Sequence, residues 1–220
     1  MTGMSVKKWS DEAWDSAAHI YEAILNLPFV KELADGTLAR ERFLRYIGQD
    51  SLYIAEYCRV LAHIASRLND SALAASFIGF ASDGVAVEKE LHSFFVSGAP
   101  AEMSPACLFY TSLLKAQAYE DVAVEAAAVL PCFWIYRQVG RHIVEKHCAD
   151  SNPYSKWILT YADPAFDIST DKAIEICDRL AAETNGVIRR KMTDIFTQCT
   201  RMEWLFWHSA YEDLRWDNRL

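Results

Sequence analysis

The chain has 220 residues, 52% hydrophobic, 13% aromatic and 24% charged, enough to fill the core of one domain. Lys plus Arg number 22 against 30 Asp plus Glu, and the net charge of −8 argues against non-specific binding to nucleic acid or to an anionic membrane. The six cysteines (58, 107, 132, 148, 177, 199) form no Cys-x-x-Cys pair, Met1 to Trp9 lacks the apolar run of a signal peptide, and the longest weakly charged stretches hold too many Ser, Tyr and Gln to span a bilayer; a cytoplasmic protein with reduced thiols is expected.

The periodicity is helical nearly everywhere, and no alternating strand stands out. Trp9 to Asn26 predicts an amphipathic helix with Trp14, Ala17, Ala18, Tyr21 and Ile24 or Leu25 on its apolar face, broken at Leu27-Pro28. Phe29 to Ala34 reads as a short helix stopped by Asp35-Gly36, with Thr37 as an N-cap for the next. Leu38 to Arg67 is the clearest long helix, striped Phe43, Tyr46, Ile47, Asp50, Tyr53, Ile54, Tyr57 and Leu61. Asp50 stands in mid-stripe, where an ionised carboxylate is costly unless it is paired or binds something.

Asn69-Asp70-Ser71 starts a helix to about Val96, with Phe77, Phe80, Ala81, Gly84, Val87, Glu88 and Leu91 inward, and Ser97 to Pro100 is a loop. Ser104-Pro105, a cap followed by proline at the first helical position, opens a helix carrying Phe109, Tyr110, Leu113, Leu114 and Gln117. Val122 to Ala149 reads as one helix kinked at Pro131-Cys132, since proline lacks the N–H and crowds the carbonyl four residues back. On it Cys132, Tyr136, Val139 and Ile143 share a face. Ser151-Asn152-Pro153 starts a short helix bearing Tyr154, Trp157, Ile158 and Tyr161, which Asp163-Pro164 ends; Ser169 or Thr170 caps Asp171 to Ala182. After Asn185-Gly186, Val187 to about Tyr211 carries Met192, Ile195, Phe196, Cys199, Glu203, Phe206 and Ala210 on one stripe. Glu203 is a second carboxylate on an apolar face. Connections are short and no repeat appears, so residues 1–220 are expected to form a single all-α domain.

Cys132, Asp50 and Glu203 thus lie on the inward stripes of three long helices. Tyr53, Tyr110, Tyr136 and Tyr161 add inward phenols, and Trp134, Trp157, Phe206 and Trp207 supply aromatic walls for a flat ligand. A buried thiol is more often a small hydrophobe than a nucleophile, and inward tyrosines are mostly core residues with a satisfied hydroxyl. Carboxylates on an apolar stripe are rarer. Desolvation, and Asp50 if near, would leave Glu203 neutral and able to give up a proton. Metal ligation has little support: no Glu-x-x-His pair occurs, Glu88 and His92 share a face as surface helical pairs commonly do, and His19 has no glycine-rich helix opposite it as a haem ligand would want. Phosphate-binding glycine loops, dinucleotide fingerprints and Gly-x-Ser-x-Gly are absent.

Phe29 through Gly36 to Phe43 and Tyr46, Gln49-Asp50-Ser51-Leu52-Tyr53, Tyr110-Thr111-Ser112, Leu130-Pro131-Cys132-Phe133-Trp134-Ile135-Tyr136, Tyr154 to Tyr161, and Glu203-Trp204-Leu205-Phe206-Trp207 resemble, in this order and spacing, the motifs of the TenA-type family, thiaminase II or aminopyrimidine aminohydrolase, in its cysteine-containing subgroup. The resemblance covers nearly the whole chain. It implies a haem-oxygenase-like helical fold, commonly a homotetramer, with no cofactor, haem or metal. The implied partner is a small molecule, an aminopyrimidine or thiamin, and the implied reaction replaces a group on the methylene of a 4-amino-2-methylpyrimidine with hydroxide. Cys132 matches the family nucleophile and Glu203 the proton donor; Asp50, Tyr136 and Tyr161 match substrate-binding positions, and Tyr53 and Tyr110 match phenols that raise the thiol's reactivity. Ser51-Leu52 and Trp204 depart from the pattern and bear on substrate preference. Two other readings remain: a non-catalytic pyrimidine-binding or regulatory relative, and a helical oxidase or haem protein that would absorb visible light.

Overall fold

The structure, a computed structural model, describes residues 7–95, 102–146 and 151–217, without the side chains of Glu88, His92 and Ser93. The expected loop at Ser97 to Pro100, the helix ends at Val96 and Ala149, and Cys148 lie outside the described residues. Among the described residues there is no strand. In chain order the helices are α1 (Trp9–Leu25), α2 (Pro28–Asp35), α3 (Arg40–Arg67), α4 (Ser71–Phe95), α5 (Pro105–Ala116), α6 (Val122–Lys146), α7 (Ser155–Tyr161), α8 (Pro164–Ala182) and α9 (Gly186–Glu212), with a 3-10 turn at Gln117–Tyr119 after α5. α6 lies at the centre, packed on α7, α8 and α9, while α3 packs on α4, α5 and α9.

Side-chain caps set several of the helix starts. Asp70 Oδ1 accepts the backbone N–H groups of Ala72 and Leu73 at 2.8 and 3.2 Å, Ser104 Oγ that of Cys107 at 3.2 Å, and Asn185 Oδ1 those of Val187 and Ile188 at 2.9 and 3.1 Å, each meeting donors a helix start leaves over. α2 ends at Gly36, whose φ of 71° is the left-handed region that glycine enters without a Cβ clash. The N–H groups of Gly36 and Thr37 then close back on the carbonyls of Leu33 and Glu32. Thr37 therefore finishes α2 instead of capping α3, which starts at Arg40 after Ala39 with no side-chain cap. The segment before α7 is fastened to the same turn: Asn152 Nδ2 donates to the carbonyls of Leu33 and Ala34 at 2.8 and 3.0 Å, and the Tyr154 hydroxyl donates to that of Leu38.

Four further expectations shift. α1 buries Trp9, Ala13, Ala17, Ile20 and Ile24, one position round from the expected face, because it docks on α9 and α8 through Trp9 Nε1 to Thr193 Oγ1 (3.0 Å) and Ser10 to Asp178 (2.8 Å). Trp14 and Tyr21 are only partly buried. On α5 the buried face is Cys107, Tyr110, Thr111 and Leu114, and Phe109 is 51% exposed. α8 begins at Pro164 with Asp163 as cap, seven residues before the expected start; Thr170, read as a cap, is a helical residue donating to the Phe166 carbonyl at 2.8 Å. α6 is, as expected, one helix with Pro131 inside it. This helix is long and apolar enough by length and composition to cross a membrane, against the expectation that no stretch would be; 78% of its most apolar window is buried inside the molecule, the setting of a core helix.

Candidate active site

A cavity of about 80 Å3 opens between α3, α4, α6, α7 and α8, several times the space one water needs. Asp50, Ile54 and Tyr57 line it from α3, Cys132, Phe133 and Tyr136 from α6, and Tyr161 from the end of α7. The spacings are those of single helix faces: 50, 54 and 57 on one, 132 and 136 on another. Phe80, Asp83, Gly84, Val87 and Leu91 form the α4 wall, and Phe166 and Ser169 the α8 wall. Gly140 sets the distance of α7 from α6, since a Cβ there would lie 2.9 Å from the Tyr161 carbonyl carbon and oxygen. An alanine would push Tyr161 away from Tyr136, whose ring centroid is now 4.8 Å from its own.

Four of the residues singled out from sequence, Asp50, Cys132, Tyr136 and Tyr161, face this one cavity. Glu203 stands behind it, 1% exposed, with Oε1 accepting the Tyr110 hydroxyl at 2.7 Å. Burial pushes its carboxyl up to about 8; Tyr110 pulls it down and the charge of Asp50 raises it further. With its pKa raised this far, the Glu203 carboxyl favours its protonated form at neutral pH. Asp50 is 6% exposed. Cys132 keeps partial exposure although its thiol is walled off from bulk solvent; that exposure is to the cavity. Burial raises its pKa well above the ordinary thiol value, as do the charges of Glu203 and Asp50, while the neighbouring Tyr53 and Tyr57 hydroxyls pull it down.

The phenols divide by where their protons go. Trp157 Nε1 donates to Tyr46 Oη at 3.3 Å and Tyr46 donates to Tyr136 Oη at 3.2 Å, so the Tyr136 proton is left for the cavity. Tyr57 donates to the Val129 carbonyl at 2.9 Å, three residues before Cys132. The Tyr53 hydroxyl is buried without a partner in hydrogen-bonding geometry; it is close enough to Cys132 to hold the thiol pKa down but is not aligned to a full bond. Tyr46 and Tyr57 were legible as stripe residues, but only the structure gives them these partners.

The expected aromatic walls are placed differently. Trp134 stacks on Trp14 at 4.8 Å and leans on Phe196 at 5.8 Å, on the far side of α6. A residue two places from Cys132 cannot share its face. Phe206 packs on Tyr53 at 5.6 Å and Trp207 on Tyr136 at 4.9 Å, backing the phenols from behind the lining. Trp157 is fully buried and acts through Tyr46. Among the described residues no group of three His, Cys, Asp or Glu could hold a metal. The Glu88 and His92 side chains lie outside the described residues. The five described cysteines are free thiols.

Residues 14–213 match the family model described as TENA/THI-4/PQQC. The chain is 30% identical over 221 residues to an aminopyrimidine aminohydrolase of Bacillus subtilis, covering 96% of this chain and 93% of that protein. It is 35% identical over 208 residues to the thiamine biosynthesis multifunctional protein ThiED of Corynebacterium efficiens; the match takes in 87% of this chain but spans only 28% of that much longer protein. Among solved structures, a TenA homologue from P. horikoshii superposes with a TM-score of 0.80 at 26% identity, covering 94% of this chain and 99% of the other.

Proposed function

This chain belongs to the TENA/THI-4/PQQC family, with its helical haem-oxygenase-like fold, and on that premise we propose that it is an aminopyrimidine aminohydrolase of thiamin salvage. The observation that carries the reading is the sharing of one cavity by Cys132, Asp50, Tyr136 and Tyr161, with the buried Glu203 carboxyl behind it. Asp50 and the Tyr136 hydroxyl hold the polar edge of the ring, and Tyr161 packs on its face. The Cys132 thiolate adds to an electrophilic ring carbon, and the displaced electron pair moves to a ring nitrogen that takes the proton of Glu203. Return of that pair expels the group on the methylene, an ammonium leaving as ammonia. Water adds to the exocyclic methylene and gives a proton to the Glu203 carboxylate, and loss of the thiolate and of the ring-nitrogen proton, taken up by the ammonia, restores the ring. Amine and water become alcohol and ammonia; thiamin, with its thiazole as the group expelled, would follow the same route.

The thiol's raised pKa is compatible with this chemistry. Glu203 is neutral below about pH 8, so its charge is absent when the thiolate is needed. The Tyr53 hydroxyl, which has no other partner, supplies a donor to the sulfur as charge builds on it. Ammonia release from aminomethylpyrimidine is the test. Cys132→Ala should reduce turnover by more than about 10³-fold, and equal turnover by that variant would exclude the covalent route.

A further inference from the structure

The cavity is charged with one sign only. Its described lining holds two carboxylates, Asp50 and Asp83, with Glu203 behind them, and no Lys, Arg or His. The two stand at different depths: Asp50 is buried, whereas Asp83 is exposed and marks where the void meets solvent. Between these levels the α4 and α8 walls are apolar, with Phe80, Val87, Leu91 and Phe166 leaving only the Ser169 hydroxyl. Asp83 makes no hydrogen bond or ion pair with any described residue, unlike Glu56, Asp70 and Asp213, whose carboxylates are each engaged by a Lys or Arg. Its place at the rim is fixed by its neighbour. A Cβ on Gly84 would come within 2.9 Å of Cys58 Sγ, so α4 already sits against α3 about as closely as glycine allows.

If the ring rests on Asp50, Tyr136 and Tyr161, as the reading above has it, the group on its methylene points into the remaining volume, towards α4, α8 and the mouth. We propose that Asp83, assisted by Ser169, receives this departing group and restricts the enzyme to substrates whose departing group is cationic, a protonated amine or a quaternary ring nitrogen, with anionic phosphorylated pyrimidines rejected. A cleft with carboxylates of one sign and low-dielectric walls focuses its field on whatever enters. The bound cation also offsets the acidic charge that holds the Cys132 thiol protonated, so the substrate itself helps ionise the nucleophile.

Binding to the Cys132→Ser protein, with and without Asp83→Asn, tests the assignment using three ligands of one ring: the aminomethylpyrimidine cation, neutral hydroxymethylpyrimidine and its phosphate ester. Asp83→Asn should weaken the cation by about three- to fivefold at low salt, less at high salt, as expected for one half-solvated charge. Affinity for the neutral ligand should stay unchanged, which also reports an intact fold, and the phosphate ester should bind more tightly than to the parent. Asp83→Lys should carry both changes further. Equal effects on cation and neutral ligand, or a parent that binds the ester as well as the neutral alcohol, would overturn the role of Asp83. If the parent binds none of the three, the aminopyrimidine reading itself fails.

Discussion

Two glutamates are equally buried in this molecule and meet opposite surroundings. Glu203 and Glu125 are each 1% exposed and each sits on a long central helix. Glu125, near the start of α6, is held by ionic and hydrogen-bonding partners on both oxygens: Arg67 Nη1 at 2.5 Å on Oε2 and His63 Nδ1 at 2.7 Å on Oε1, while Arg67 Nη2 also satisfies the Glu120 carbonyl. Glu203 has one phenol and a nearby carboxylate. A buried charge that is fully paired ties α3 to α6; one denied a cation gives up its charge and keeps a transferable proton. Burial alone does not separate a structural acid from a reactive one. The partner does.

Three substitutions sharpen or break that contrast. The largest effect is expected at Glu203→Gln, which should lower turnover by about 10²–10³-fold by removing the proton donor. Wild-type activity should fall as pH rises through about 8, where Glu203 ionises, and this limb should be missing from the variant's pH profile. Stability should follow the same group. The folded carboxyl binds its proton more tightly than the ordinary value of 4.5, so the folded protein loses stability as pH climbs from about 4.5 to 8 and no more beyond. Denaturant titrations of Glu203→Gln should lack this component of the slope. Next is Arg67→Ala, which leaves Glu125 buried without its guanidinium. It should cost about 3 kcal/mol and lower Tm by roughly 6–12 °C, with turnover per folded molecule unchanged. A turnover loss there, or a purely structural defect at Glu203, would erase the distinction. The smallest effect is at Tyr53→Phe. Losing this donor should move the pH midpoint of Cys132 alkylation upward and slow modification at pH 8 by no more than about tenfold.

The sequence carried the architecture well where a helix face is settled by its own period, as in α3, α6 and α9. Asp50, Cys132 and Glu203 were legible because a polar residue inside an apolar stripe is a local anomaly. Glu125 offers no such anomaly: it sits in an alanine-rich stretch whose inward face only the neighbouring Arg67 reveals. The orientation of α1 and the start of α8 depended on partners more than 160 residues away or on a cap one loop earlier, which a local pattern does not contain. Trp134 reads as a pocket wall from sequence, and helical geometry sends it to the opposite side of α6 from Cys132. Tyr57 reads as core because stripe position says nothing of where a hydroxyl proton points.

The fastening of Asn152 and Tyr154 to the turn at Gly36 has a dynamic corollary. Seven residues of α7 are too few to persist as a helix unaided, so the wall carrying Tyr161 borrows its order from a bend well over a hundred positions earlier. Amide hydrogens of residues 155–161 should then exchange in step with those of 33–38, and any substitution that loosens that distant bend should let ligands come and go faster without touching a single group they contact.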